Sequence, residues 1–404
     1  MKVGIVVPYS WSYWGGVVEH AEEQAAALRE LGMETKLIIG HDPPGRLSRL
    51  LHPRAGRVDV PPGYVLPVGR SVITPANHSL ANIVLSPSAV PRIARLVARE
   101  RFDLLHVHEP LTPAIGVAAL AYADSPVVAT FHASGRSRWR KLGVLSWGFL
   151  LDRLDVRIAV SEPARETANG YSPGDYRVIP NGVRLPEHVQ PDSRADNVLF
   201  IGRHEARKGL ATLLRAWPRI RAETGARLRV IGADPLAVRL LLARTRIDED
   251  GVDLLGFLPA ERLDAELASA KLLVAPSLRS ESFGMVITRA FASATPVVAS
   301  DIEGYRDVVT DETGVLVPPG EAEALADAAV GLLTEESRRE QLAVAARLRV
   351  ELEYDWRRIA GRLAATYAEA GVRALDPEPV TTEHALPTPF ESDVRTCEIV
   401  RRVR

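Results

Sequence analysis

Two doubly wound α/β domains are predicted for this chain, on three observations. Short β-branched runs alternate with longer amphipathic stretches, the pattern of parallel sheets linked by helical crossovers. The alternation pauses over a polar, proline-bearing stretch at 186–196 (PEHVQPDSRAD) and then begins again. At 404 residues the chain also exceeds one ordinary hydrophobic core. The expected organisation is a first Rossmann-like domain over 1–190 and a second over 191–354. A helix over 355–372 returns to brace the first, and a disordered tail occupies 375–404.

In the first cycle KVGIVV (2–7), ETKLII (34–39), DLLHVH (103–108), VVATF (127–131), VRIAV (156–160) and YRVI (176–179) read as strands. Between them VVEHAEEQAAALRELG (17–32) and RIARLVARER (92–101) repeat apolar residues with a helical period. WRKLGVLSWGFLLDRL (139–154) reads as a core-facing helix with a basic start. The second cycle opens on the strand NVLFIG (197–202), followed by a helix over 207–224 and a strand at RLRVIG (227–232). KLLVAP (271–276), PVVAS (296–300) and GVLVP (314–318) are its later strands, each set off by a helix. EAEALADAAVGLL (321–333) and WRRIAGRLAATYAEAG (356–371) are the closing helices. Beyond about Leu375 the composition turns to Pro, Thr and Glu, which cannot bury enough apolar surface to fold.

Composition excludes several classes. A formal net charge of -1 gives no global field for nucleic acid. The single cysteine, Cys397, excludes an intrachain disulfide and a cysteine metal cluster, and fits a reducing compartment. The start MKVGIVVPYS breaks its apolar run at Pro8, too early for a signal peptide, and no stretch has the apolar length of a membrane span. A cytoplasmic protein is expected.

Chemistry concentrates at the carboxyl ends of the expected strands, where open α/β sheets place ligands. Gly15-Gly16 follows the first strand and opens a helix, so backbone amides there can approach an anion or a sugar; a tight turn explains the pair equally well. The sequence is not GxGxxG, so the nicotinamide and flavin fingerprint is absent. His108-Glu109-Pro110 and His132 end two further strands of the same sheet. In the second domain GRHEARKGL (202–210) carries Arg203 and Lys208 between a strand and a helix, two fixed cations suited to a diphosphate. Glu281 precedes Phe283-Gly284-Met285 at another helix start, whose free amides suit phosphate or sugar oxygens. No metal-ligand cluster is recognisable in the spacing.

VPYSWSYWGGV, HVHEP, ATFHAS, IPNGV, GRHEARKG, ESFGMV, PVVASD and GVLVP, in this order, resemble the retaining glycosyltransferases of family 4, which have the GT-B fold of two Rossmann-like domains facing each other across a cleft. The likeness covers about residues 1–371, and its first three motifs are most similar to phosphatidylinositol mannosyltransferases of actinobacteria. The resemblance implies transfer of a hexose, of mannose or glucose type, from a GDP- or UDP-hexose to a lipid or small polar acceptor, with no cofactor or metal required. His132, Arg203, Lys208 and Glu281 would carry catalysis, and Gly16, Phe283, Gly284, Met285 and position 289 would join Arg203, Lys208 and Glu281 around the donor. Tyr9, Ser79, Asn82, His108 and Glu109 would lie on the acceptor side. A lipid acceptor implies peripheral contact with an anionic membrane, at the inner face of the plasma membrane. Arg92, Arg95 and Arg99 share a helix face suited to it, with Arg101 beyond, although a solvated face has the same pattern.

Three departures from the family pattern stand out. Arg289 occupies the place of a second glutamate that accepts both ribose hydroxyls, and a guanidinium has no acceptor. Losing those contacts would cost on the order of 1–3 kcal/mol of donor affinity. Val18 and Asn82 replace a glutamine and an arginine used around the inositol phosphate, and Ala294 replaces a helix-ending glycine. Arg289 also motivates an alternative: a nucleotide-sugar-binding protein that has lost transfer.

Overall fold

The computed structural model describes residues 1–13, 15–45, 48, 60–76, 79–135, 143, 145–187 and 194–371. The chain forms two compact units, residues 1–182 with the segment from Trp356, and residues 183–355. The expected tail lies outside the described residues.

The first unit holds β1 (Lys2–Ser10), α1 (Gly16–Glu30), β2 (Glu34–Gly40), β3 (Val65–Pro67), β4 (Val72–Ala76), β5 (Ser79–Ile83), α2 (Ala89–Glu100), β6 (Leu104–His108), α3 (Ile115–Tyr122), β7 (Val127–Phe131), β8 (Val156–Ala159), α4 (Glu162–Asn169) and β9 (Tyr176–Val178). Its parallel sheet runs β3-β2-β1-β6-β7-β8-β9, reversing direction of growth between β1 and β6. The strands are covered on both faces, and the period of two sorts their side chains. Val6, Ile38, Val107 and Ala129 pack against Ile93 and Val97 of α2 and Ile115 and Ala119 of α3. Ile5, Val7, Leu37 and Ile39 face Ala21, Ala25 and Leu28 of α1.

The second unit holds β10 (Ala195–Ile201), α5 (Leu210–Thr224), β11 (Arg227–Ile231), α6 (Pro235–Thr245), β12 (Val252–Gly256), α7 (Ala260–Ser269), β13 (Ala270–Ala275), α8 (Met285–Ala292), β14 (Val297–Ser300), α9 (Glu303–Arg306), β15 (Val315–Val317), α10 (Ala322–Thr334) and α11 (Glu336–Glu353). Its sheet runs β12-β11-β10-β13-β14-β15, all parallel, with the topological switch between β10 and β13. A last helix, α12 (Trp356–Glu369), returns to the first unit and lays Ile359, Leu363 and Tyr367 on the face that α1 covers. Gly182 makes room for it: a Cβ there would sit 2.4 Å from the Trp356 indole.

Several elements differ from the sequence reading. The antiparallel hairpin β4–β5 joins β1 through Tyr9 opposite Ile83, in a stretch whose prolines hid it. The helix expected over 207–224 is interrupted at Gly209, left-handed at φ 71, where a Cβ would stand 1.7 Å from the Pro276 carbonyl oxygen. Within 139–154 the described residues 143 and 145–147 are α-helical as expected, but the chain then tightens to a 3-10 segment, Gly148–Arg153; Leu150 and Leu151 are buried, whereas Leu145 and Phe149 are exposed. Helix α11 has no counterpart in the sequence reading. Ala294 does adopt the left-handed conformation expected where a glycine is missing, with φ 51.

Candidate functional site

In the first unit the strand register assembles a buried histidine stack. His106 and His108 lie two apart on β6, and Thr130 stands beside His108 on β7, two before His132. All four residues therefore face the same side. Rings 106 and 108 stack at 4.7 Å between centroids, and His108 Nδ1 is 2.7 Å from His132 Nε2. From α1, His20 packs edge-on against both His108 and His132. One turn later Gln24 Nε2 lies 3.0 Å from Tyr367 Oη and 2.9 Å from His106 Nδ1, and His106 Nε2 lies 2.6 Å from Thr130 Oγ1.

Burial keeps these rings neutral. It pushes His20 and His106 down to about 3, and holds His108 and His132 well below the ordinary value, helped by the neighbouring imidazoles. One ring nitrogen each of His20, His108 and His132 lies within 4.8 Å of the others, a metal-ligand spacing invisible in a sequence where they are far apart. The 2.7 Å contact uses His108 Nδ1 and His132 Nε2, while His108 Nε2 and His20 Nδ1 are buried without a hydrogen-bond partner among the described residues.

Around it, Gly15 caps α1 with a space free of protein atoms within 4 Å of its would-be Cβ, and Gly16 opens the helix. Glu109 Oε1 accepts from the His132 and Ala133 amides, both at 2.9 Å. Tyr9 is half-buried near the end of β1 and Asn82 half-buried on β5; the Ser79 side chain lies outside the described residues. Val18, read as replacing a polar acceptor contact, is buried in the core instead, 2% exposed. On α2, Arg92, Arg95 and Arg99 are exposed as their spacing predicts.

In the second unit the two charged loops come from either side of the switch point. After β10, Arg203 pairs with Glu205 at 3.1 Å, and a 3-10 turn, Ala206–Lys208, follows. After β13, Glu281 Oε1 receives Arg207 Nη1 at 2.7 Å, Lys208 Nζ at 2.8 Å and Ser277 Oγ at 3.3 Å. Arg207 also stands 3.0 Å from Glu205, and its carbonyl accepts from Leu278 N at 2.7 Å, tying the loops together. The sequence reading passed over this most enclosed of the three cations, although the adjacent Arg-Lys pair in ARKG was a usable signal. Arg203, Arg207 and Lys208 against Glu205 and Glu281 leave one net positive charge. That balance suits an anionic ligand.

Gly284, left-handed, caps α8 ahead of Met285; its carbonyl accepts from the Ile287 amide at 2.8 Å, so the amides without an intrahelical acceptor are those of Met285 and Val286. Phe283 is 4% exposed and its ring packs edge-on against Tyr354 at 5.4 Å, which leaves its main chain as the part that a ligand can reach. Arg289 turns away to α7, donating from Nε to Asp264 Oδ1 at 2.7 Å and from Nη2 to the Ala260 carbonyl at 3.4 Å.

The family model described as "Glycosyltransferase Family 4" matches residues 14–186, and that described as "Glycosyl transferases group 1" matches 195–335. A phosphatidyl-myo-inositol mannosyltransferase of Mycobacterium leprae is 34% identical over 379 residues, 91% of this chain and 96% of the relative. One from Propionibacterium freudenreichii is 32% identical over 380 residues, 92% and 96% of the two chains. Among solved structures, Anabaena HepE in complex with UDP and glucose superposes with a TM-score of 0.68 at 20% identity, over 91% of this chain and 99% of that one. Sucrose-phosphate synthase of Thermosynechococcus elongatus gives 0.68 at 22%, over 91% and 98%. These neighbours share the GT-B architecture of paired parallel-sheet α/β domains. With a third of its residues shared across nearly the full length of curated relatives, the chain belongs to glycosyltransferase family 4 and is a glycosyltransferase of GT-B fold.

Proposed function

We propose that the chain transfers a mannosyl group, with retention of configuration, from a nucleotide-diphosphate sugar to an inositol phospholipid. The observation that carries the donor half is the cluster of Arg203, Arg207 and Lys208 around Glu205 and Glu281 at the switch point of the second unit. Arginine forks and a lysine point charge match the oxygens of a diphosphate, and would stabilise it as it leaves. When the diphosphate takes Lys208, Glu281 loses one of its two cations and gains capacity to accept from sugar hydroxyls, while Arg207, 2.7 Å away, keeps it aimed. On the first unit His132, neutral through burial, can donate to or accept from the sugar without carrying charge. The reaction then rests on positioning and charge stabilisation, with the departing phosphate oxygen taking the acceptor's proton.

The mannosyl and inositol-lipid assignments draw on the named activity of the full-length relatives. The exposed arginine face of α2 supports peripheral contact with an anionic membrane; among the described residues no helix is long and apolar enough to cross one. The test is a panel of GDP- and UDP-sugars, each with and without phosphatidylinositol vesicles, followed by product analysis. A mannolipid formed from one mannosyl donor is expected; no binding or turnover of any donor overturns the reading. Arg289 favours a second reading, donor binding without transfer, which the same panel reveals as a thermal shift with no product.

A further inference from the structure

The turn after β6 is built around a residue that faces back into its own sheet. Glu109 has a left-handed backbone, φ 51, unusual for a residue with a side chain. Its amide donates to the Thr130 carbonyl at 2.9 Å, extending the β6–β7 ladder by one bond. At the next two positions with amides to satisfy, His132 and Ala133, the acceptor is the Glu109 side chain, one oxygen taking both at 2.9 Å. The carboxylate thus stands where a neighbouring strand would offer carbonyls, and continues the ladder past the last residue of β7. Its neighbour His108 holds the His132 ring through the 2.7 Å contact between ring nitrogens. Main chain and ring of His132 are both fixed from one dipeptide.

We propose that Glu109 is a positioning residue, whose carboxylate sets the place of His132 through the two amides, and that it does not serve as an acceptor-binding group. This deepens the reading of His132 as a sugar-facing residue and rests on it for its catalytic consequence. The geometry itself is independent of that reading. What the two amides need is an oxygen at that point, and its charge is secondary. Glutamine supplies the oxygen; alanine supplies nothing.

The test compares Glu109→Ala and Glu109→Gln by two readouts. Amide hydrogen exchange of the segment carrying His132 and Ala133 is expected to speed up at least tenfold in E109A, and to stay within about threefold of the parent in E109Q. With GDP-mannose and phosphatidylinositol vesicles, kcat is expected to fall about 10- to 100-fold in E109A with the donor KM unchanged, the scale of a catalytic group displaced by about 1 Å. In E109Q most of kcat should be retained. Unchanged exchange in E109A overturns the clamp. Equal losses of kcat in E109A and E109Q, or a rise confined to the acceptor KM, assign the carboxylate to the acceptor and overturn the proposal. If the unsubstituted protein turns over no donor, the functional reading fails, and exchange alone still decides whether Glu109 holds His132.

Discussion

Acid should loosen the first unit through its own histidines. His20 and His106 are wholly buried, and burial lowers each from 6.5 to about 3. A histidine that is harder to protonate folded than unfolded leaves stability untouched above about pH 6.5. Below that the unfolded chain takes up protons that the folded chain refuses, so stability falls with pH until about 3. The slope is about 1.4 kcal/mol per pH unit for each such histidine. At pH 5 the loss is about 2 kcal/mol apiece, and about 4 kcal/mol for the two together, a large part of the stability of a typical domain. Exposed carboxylates contribute a background of their own, so the informative quantity is a difference. His20→Gln removes one titrating ring from a site where it packs edge-on against His108 and His132. Urea unfolding should be followed by tryptophan fluorescence in a Trp217→Phe background, because Trp217 is the one tryptophan of the sequence that falls in the second unit. Both proteins should be measured from pH 8 to pH 4.5. The parent is expected to lose stability faster than the variant below pH 6.5, with the gap narrowing by about 1.4 kcal/mol per unit. Parallel curves would refute the assignment of a strongly lowered His20.

Other outcomes follow from the second unit. Arg207→Met removes the cation between two enclosed carboxylates, Glu205 and Glu281, and should cost about 2–3 kcal/mol in urea melts, discounted from a fully buried pair because Lys208 still serves Glu281. Gly209→Ala must fit a methyl 1.7 Å from a backbone oxygen at positive φ, so a loss of about 3 kcal/mol or more and collapse of donor binding are expected. Lys208→Ala should leave folding nearly unchanged while weakening a nucleotide-diphosphate ligand at least tenfold by calorimetry, with the effect shrinking as salt rises. Arg289→Glu alone would set a carboxylate against Asp264 and gain nothing; combined with Asp264→Asn it should tighten a nucleotide-sugar donor about five- to hundredfold if position 289 reaches the ribose.

Much of the framework was legible because strands such as β6 and β7, buried throughout, must be continuous apolar runs. The parts that escaped did so for physical reasons. Helix α11 is rich in charge, with Arg347–Glu351 and Arg349–Glu353 pairs replacing an obvious apolar stripe. In β4–β5, Pro75 lies inside β4, where a proline argues against a strand, yet the hairpin meets the sheet through a single pair of residues. At the site, motif residues that end strands were found at those ends. His20, His106 and Arg207 were missed because their meaning lies in partners distant in sequence. Arg289 was recognised as a departure, but its partner Asp264 on α7 needed the fold.

Mannosyl transfer to an inositol lipid is the claim on which the account turns. Purified protein given GDP-mannose radiolabelled in the sugar and phosphatidylinositol vesicles should yield a labelled lipid whose new linkage keeps the donor's α configuration by NMR, and Lys208→Ala should abolish it. An inverted linkage would contradict the mechanism. A protein that binds GDP-mannose and transfers nothing, to lipid or to water, would contradict the activity and leave a sugar-nucleotide binder in its place.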